Sequence, residues 1–215
     1  MEYVLYKKTF SKEQLKPLNI VISDDCEIAE GVKIWQNVIV NNGSKLNKGC
    51  EIFSNSVLSG VELKSNVIVR SSCLEDCVVG KGSKIGPFAH IRMNTTVGVN
   101  CVVGNFVEIK NSKIGSGTKM AHLAYIGDAV IGRNCNIGCG VIFCNYNGKL
   151  KQKSVLGDNV FVGSNCNLIA PLKIGSGAYI AAGSTINLNV EKGEFSIARA
   201  RQVNKQNFQN PYTER

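Results

Sequence analysis

Rings are scarce in this chain. Aromatic residues make up 7% of 215 positions, with one tryptophan, two histidines and only four prolines. So few large side chains exclude a bulky globular core and suit a narrow, regularly packed interior. No stretch approaches the roughly 20 apolar residues of a membrane-spanning helix, so no membrane partner is expected. Lys7 and Lys8 are not followed by the apolar segment of a secretory signal. No C-x-x-C pair is present to suggest a zinc site. Blocks of like charge and aromatics interleaved with basic runs are also missing, which argues against nucleic acid. The net charge of +9 is scattered, a pattern that suits small anionic metabolites. Nine cysteines, an odd number, point to a reducing cytoplasm.

What the chain does have is a period of six. Branched aliphatics recur at Ile22, Ile28, Ile34, Val40, Leu46, Ile52 and Leu58. The register slips through Leu63, Val69 and Leu74, then resumes at Val79, Ile85, Ile91, Val97, Val103 and Ile109. Two further runs follow, from Ile114 to Phe143 and from Leu156 to Ile186. Glycine often comes next, as in Ile85-Gly86 and Val103-Gly104, and a small residue such as Ser44, Ser83, Ala89, Thr95 or Thr118 sits four places on. A helix would need apolar spacings of three and four. Six residues instead make one short strand and one corner, with the aliphatic and the small residue both inward; three such units close a triangular coil, and stacked coils bury a continuous column. The same register puts Cys26, Cys50, Cys73, Cys101, Cys135 and Cys166 in the small inward slot and leaves Cys77, Cys139 and Cys144 elsewhere. The expected fold is all-β, a parallel β-helix over 22–190. An N-terminal flank at 1–21, where Ser11 caps a short helix, precedes it, and a polar, basic tail at 191–215 follows.

The pattern fails most between Phe143 and Leu156, 13 residues apart where two repeats need 12. Polar and basic residues there require a loop over 144–155, either a tolerated insertion or a functional one. Nearby, Glu108 and Lys110 flank Ile109, and His122, two places after Met120, faces outward close to Tyr125. A lone histidine is more often structural than catalytic, but one at an outward corner is available for chemistry.

Six segments in order then become recognisable: Ile85–Arg92 (IGPFAHIR), Val103–Lys110 (VGNFVEIK), Ala121–Asp128 (AHLAYIGD), Asn136–Gly138 (NIG), Cys144–Gly148 (CNYNG) and Asp158–Ser164 (DNVFVGS). Together they resemble the acetyltransferase half of the bacterial bifunctional glucosamine-1-phosphate acetyltransferase/N-acetylglucosamine-1-phosphate uridyltransferase family. The resemblance is dense from about Gly80 to Arg199. It implies a left-handed parallel β-helix, a homotrimer with active sites between subunits, acetyl-CoA as co-substrate, and a place in UDP-N-acetylglucosamine and cell-wall synthesis. It assigns His122 as the base and Glu108 as the carboxylate that orients it. Arg92, Lys110, Tyr125, Asn136, Asn145 and Lys151 would hold the sugar phosphate. Cys139 (where the family usually has alanine), Asn145, Tyr146, Ser164, Ala182 and Arg199 would meet the thioester and coenzyme A.

These residue types suit the reaction. A largely protonated amino sugar needs a proton acceptor before it can attack a thioester, and an imidazole fixed in one tautomer supplies it. Arginine and lysine hold phosphate as fork and point charge. No metal is needed for acetyl transfer. Nothing matches the uridyltransferase half, so acetyl transfer without the UTP-dependent step is expected. Glucosamine 1-phosphate is the first substrate; galactosamine 1-phosphate or a nucleotide-linked amino sugar is the alternative, and a non-catalytic assembly subunit is a second. A carbonic anhydrase on this coil is disfavoured, because three histidines per zinc are required.

Overall fold

A computed structural model describes residues 3–7, 11–206 and 209; the remaining positions of the N-terminal flank and of the expected basic tail lie outside the described residues. The chain is nearly all β, a parallel β-solenoid of about 10 turns whose hexapeptide repeats fit a left-handed β-helix. Strands of two or three residues alternate with corners. Strands such as Val57–Ser59 and His90–Arg92 point one aliphatic inward and its neighbours outward. Coil stacks on coil in parallel register, Ile39 beside Val57 and Glu108 beside Tyr125. Two faces merge into one 19-stranded sheet, because the 9-residue strands Val102–Lys110 and Lys119–Gly127 run unbroken around their shared corner. The third face is a separate 9-stranded sheet.

The inward column is the one the repeat requires. From Ile28 to Ile186 the periodic aliphatics are buried, and each contributes roughly 1.5–3 kcal/mol by leaving water. The small inward residues do more than fill space. Ser83 Oγ donates to the Gly98 carbonyl at 2.8 Å and accepts from the Cys101 amide at 2.9 Å, tying one coil to the next. Thr118 does the same with Gly132 and Cys135. Thiols take this role too: Cys50, Cys101, Cys135 and Cys166 donate to carbonyls one coil on, at 3.1–3.2 Å.

Cys73 departs from its expected inward slot. Val69 is followed by Leu74 after five residues rather than six, so the residue four after Val69 is the one immediately before the next inward side chain. Alternation turns it outward, and Cys73 is half-buried on the surface of the strand Cys73–Glu75. Cys77, two residues before Val79, takes the inward slot instead. Burial there pushes its thiol up to about 12.

The ends are closed by elements outside the period. Tyr3–Leu5 pairs antiparallel with Lys33–Trp35, and the Trp35 ring stacks between Tyr3 and Phe53. In the short helix Lys12–Leu15, the Ser11 amide donates to Gln14 Oε1 at 2.9 Å, half of a capping box. Leu15 and Ile20 are buried against the first coils. At the far end Phe195–Ser196 pairs with Tyr179–Ile180.

Candidate active site

Two groups of side chains gather around the corner shared by the strands Val102–Lys110 and Lys119–Gly127. On the corner itself, Asn105 and His122 are register partners. The imidazole Nδ1 lies 2.8 Å from Asn105 Oδ1, and the ring is exposed. This close stacking needs Gly104, where an added Cβ would run into the Ala121 carbonyl. Phe88, Phe106 and Leu123 continue the corner with φ of +57°, +55° and +37°, values that strain bulky side chains. They stay exposed at 58%, 57% and 56%, and the two phenylalanine rings stack at 5.5 Å.

The same corner carries the residues expected to meet coenzyme A. The Gly140 amide donates to the Leu123 carbonyl, Asn165 to that of Cys139 and Gly183 to that of Ser164. Arg199 Nη1 donates to the Ala182 carbonyl at 2.8 Å. Cys139, Ser164, Ala182 and Arg199 are therefore exposed along one edge that runs coil by coil away from His122.

The second group lies on the face that follows the corner. Arg92 Nη2 donates to Glu108 Oε1 at 2.6 Å. One column over, buried Lys110 faces Asp128, Nζ to Oδ2 at 3.7 Å. Asp128 also accepts from the amides of Asn111 and Asn145, each at 2.5 Å. Burial alone would raise the Asp128 carboxyl, but those two amides and the charges of Lys110 and Lys151 outweigh it, so its pKa lies below the ordinary value. Asn145 Nδ2 is 3.5 Å from the Tyr125 hydroxyl. Both side chains cover Gly127, where a Cβ would stand 2.5 Å from Asn145 Nδ2 and 2.6 Å from Tyr125 Oη.

The interrupted repeat builds the rim. The chain leaves the prism after the strand Ile142–Cys144 and rejoins it at Ser154–Leu156. Between them it folds back, Tyr146 bridged to Lys151, with Asn147 Oδ1 accepting from the Lys149 and Leu150 amides. Lys151 comes close to Lys110, whose neighbouring ammonium lowers the Lys151 pKa.

The sequence assigned the orienting carboxylate of His122 to Glu108. In the structure Glu108 is taken by Arg92, and the group beside Nδ1 is the Asn105 side-chain oxygen, 2.8 Å away. Asn105 was missed because a polar residue after the corner glycine reads as an ordinary turn. Its signal was its place, one coil before His122 in the Val103-Gly-Asn step. Asn136 stands apart from the Arg92–Glu108 group, on the preceding face, in register with Lys119 and Phe161.

The fold is that of a hexapeptide-repeat β-helix protein. Residues 153–187 match the family described as bacterial transferase hexapeptide (six repeats), and residues 73–168 match the GMPPB C-terminal domain. The chain is homologous to the C-terminal half of the bifunctional GlmU proteins. It is 44% identical over 190 residues to bifunctional protein GlmU of Clostridium novyi, covering 88% of this chain and 42% of that one. For Shouchella clausii GlmU the identity is 46% over 194 residues, covering 90% and 43%. The chain thus spans less than half the length of these relatives. Among solved structures, LpxA, a UDP-N-acetylglucosamine acyltransferase from Bacteroides fragilis, superposes loosely, with a TM-score of 0.44 at 15% identity over 80% of this chain and 66% of that one.

Proposed function

We propose that the chain is an acetyl-CoA-dependent N-acetyltransferase acting on an amino-sugar phosphate, glucosamine 1-phosphate first. The observation that carries this reading is the Asn105–His122 pair, standing where the edge of Cys139, Ser164, Ala182 and Arg199 meets the cationic face of Arg92, Lys110 and Lys151. Asn105 can only accept from Nδ1–H through its oxygen, so Nε2 is left as the free lone pair. The amino group reacts as its neutral form, its extra proton released to solvent, and His122 takes a second proton from that nitrogen as it attacks the thioester carbonyl. The C–N bond forms, the C–S bond breaks, and the proton passes on to the departing coenzyme A thiolate. The phosphate sits among Arg92, Lys110 and Lys151, with Tyr125 and Asn145 toward the sugar and Tyr146 toward the thioester; Asn136, on the preceding face, would reach a sugar held between subunits.

Glu108 takes a different part in this reading from the one first assigned: it holds the Arg92 fork until a phosphate competes for it. The strained, exposed corner of Phe88, Phe106 and Leu123 supports assembly into a homotrimer, because backbone strain at bulky apolar side chains is kept where something covers them. Nine free cysteines support a reducing, cytoplasmic setting. Among the described residues no helix is long and apolar enough to cross a membrane.

The reading is tested by thiol release from acetyl-CoA with glucosamine 1-phosphate, galactosamine 1-phosphate and a UDP-linked amino sugar as acceptors. Turnover is expected with the first. Inactivity with all three removes the assignment.

A further inference from the structure

The five-residue step that turns Cys73 outward sets it beside the histidine the reaction does not use. Cys73 and Glu75 flank inward Leu74 on one strand, so both project from the same face. His90 is the register partner of Cys73 in the next coil. Cys73 Sγ lies 3.7 Å from Glu75 Oε1, and His90 Nε2 lies 3.7 Å from Glu75 Oε2. One ligand atom from each of the three falls within 4.8 Å of the other two.

We infer that Cys73, Glu75 and His90 form a binding site for a thiophilic divalent cation of the zinc type, clipping two successive coils together. The geometry is close to what such an ion needs. Zinc bonds of roughly 2.0–2.3 Å to N, O and S in a tetrahedron put its ligands about 3.3–3.8 Å apart. The three donors therefore need small rotamer shifts rather than backbone movement. Their chemistry selects the ion: a thiolate with an imidazole excludes magnesium and calcium, which take oxygen ligands. Thiolate and carboxylate together neutralise a dication, and a water fills the fourth position. Arg92 lies two residues beyond His90, and its guanidinium is held by Glu108 at 2.6 Å. The side chains of His90 and Glu75 are 43% and 47% exposed, which leaves the ion a way in.

This site shares no residue with the acetyl-transfer groups, although His90 stands in register with Glu108, and it does not depend on the proposed function. Cobalt(II) titrated into the full chain under reducing conditions is the direct test, read by thiolate-to-cobalt charge-transfer absorption. The expected signal saturates at one ion per chain and is displaced by zinc, with magnesium having no effect. It is lost in Cys73→Ser, weakened at least tenfold in His90→Ala, and kept in Cys139→Ser, which removes the exposed competing thiol. Zinc should also raise the melting temperature of the wild-type chain in a concentration-dependent way and leave that of Cys73→Ser unchanged. Failure of the wild-type chain to give the absorption overturns the site whatever the variants do. So does a signal that survives Cys73→Ser or ignores His90→Ala.

Discussion

Asn105 and His122 face each other across two stacked coils, with the imidazole Nδ1 2.8 Å from the Asn105 side-chain oxygen. The bond fixes which ring nitrogen is free, so its loss should act on catalysis rather than on binding. A hydrogen bond of about 1–2 kcal/mol corresponds to a fall in kcat of roughly 5- to 30-fold in Asn105→Ala, with KM for both substrates little changed. Asn105→Asp keeps the acceptor and adds a negative charge, which favours the protonated imidazole. Its acid limb should therefore move to higher pH. A pH–rate profile of the two variants distinguishes these effects, and an unmoved profile in Glu108→Gln would agree with Asn105 as the partner.

Arg92 should behave differently. Its fork is held by Glu108 at the edge of the cationic face, so Arg92→Ala is expected to raise KM for the sugar phosphate by 10- to 100-fold and to leave KM for acetyl-CoA near its wild-type value. Steady-state kinetics with each substrate varied in turn checks the split. An equal rise for both substrates would place Arg92 elsewhere.

Asp128 links the site to stability. Its pKa is lowered in the fold, so its stabilising contribution is full above the ordinary carboxylate value of 3.8 and is lost as pH falls below it. Asp128→Ala leaves buried Lys110 without its partner, which should cost about 3 kcal/mol at pH 7. The gap between variant and wild type should narrow as pH is taken from 5 towards 3. Denaturant melts across that range measure it; a constant gap would contradict the account.

Gly127 and Gly104 separate site from scaffold. A methyl at Gly127 would displace Asn145 and Tyr125, so Gly127→Ala should lower activity with modest loss of stability. At Gly104 the methyl meets backbone, the Ala121 carbonyl, which cannot rotate away. Gly104→Ala should therefore lower both activity and melting temperature. Paired thermal melts and rate measurements test the contrast.

Thiol labelling reads the coenzyme edge. Cys139 is exposed, whereas Cys77 is buried with its thiol pushed up to about 12 and is poor in thiolate at neutral pH. Iodoacetamide should modify Cys139 early and Cys77 only on unfolding, and acetyl-CoA should protect Cys139. Peptide mapping by mass spectrometry gives the order.

The inward column was legible because burial on the axis tolerates only aliphatics at one position in six, and that constraint is written at every turn. Cys73 was misread where a five-residue step shifted the phase, since alternation depends on the distance to the next inward residue, not the last. The antiparallel strand Tyr3–Leu5 carries no period and was found only where Trp35 stacks on Tyr3. In the site, charged and aromatic side chains at repeat positions stood out, whereas Asn105 resembled any corner residue until its register with His122 was seen. Which carboxylate met which cation depended on distances across coils, and spacing along the chain does not carry them.

The role of His122 is tested most directly by acetyl transfer from acetyl-CoA to glucosamine 1-phosphate, measured for wild type and His122→Ala at saturating substrates. Removing a general base should lower kcat by about 10²- to 10⁴-fold, with both substrates still binding within a few-fold of wild type. Equal turnover by the two proteins, or none by the wild type, would contradict it.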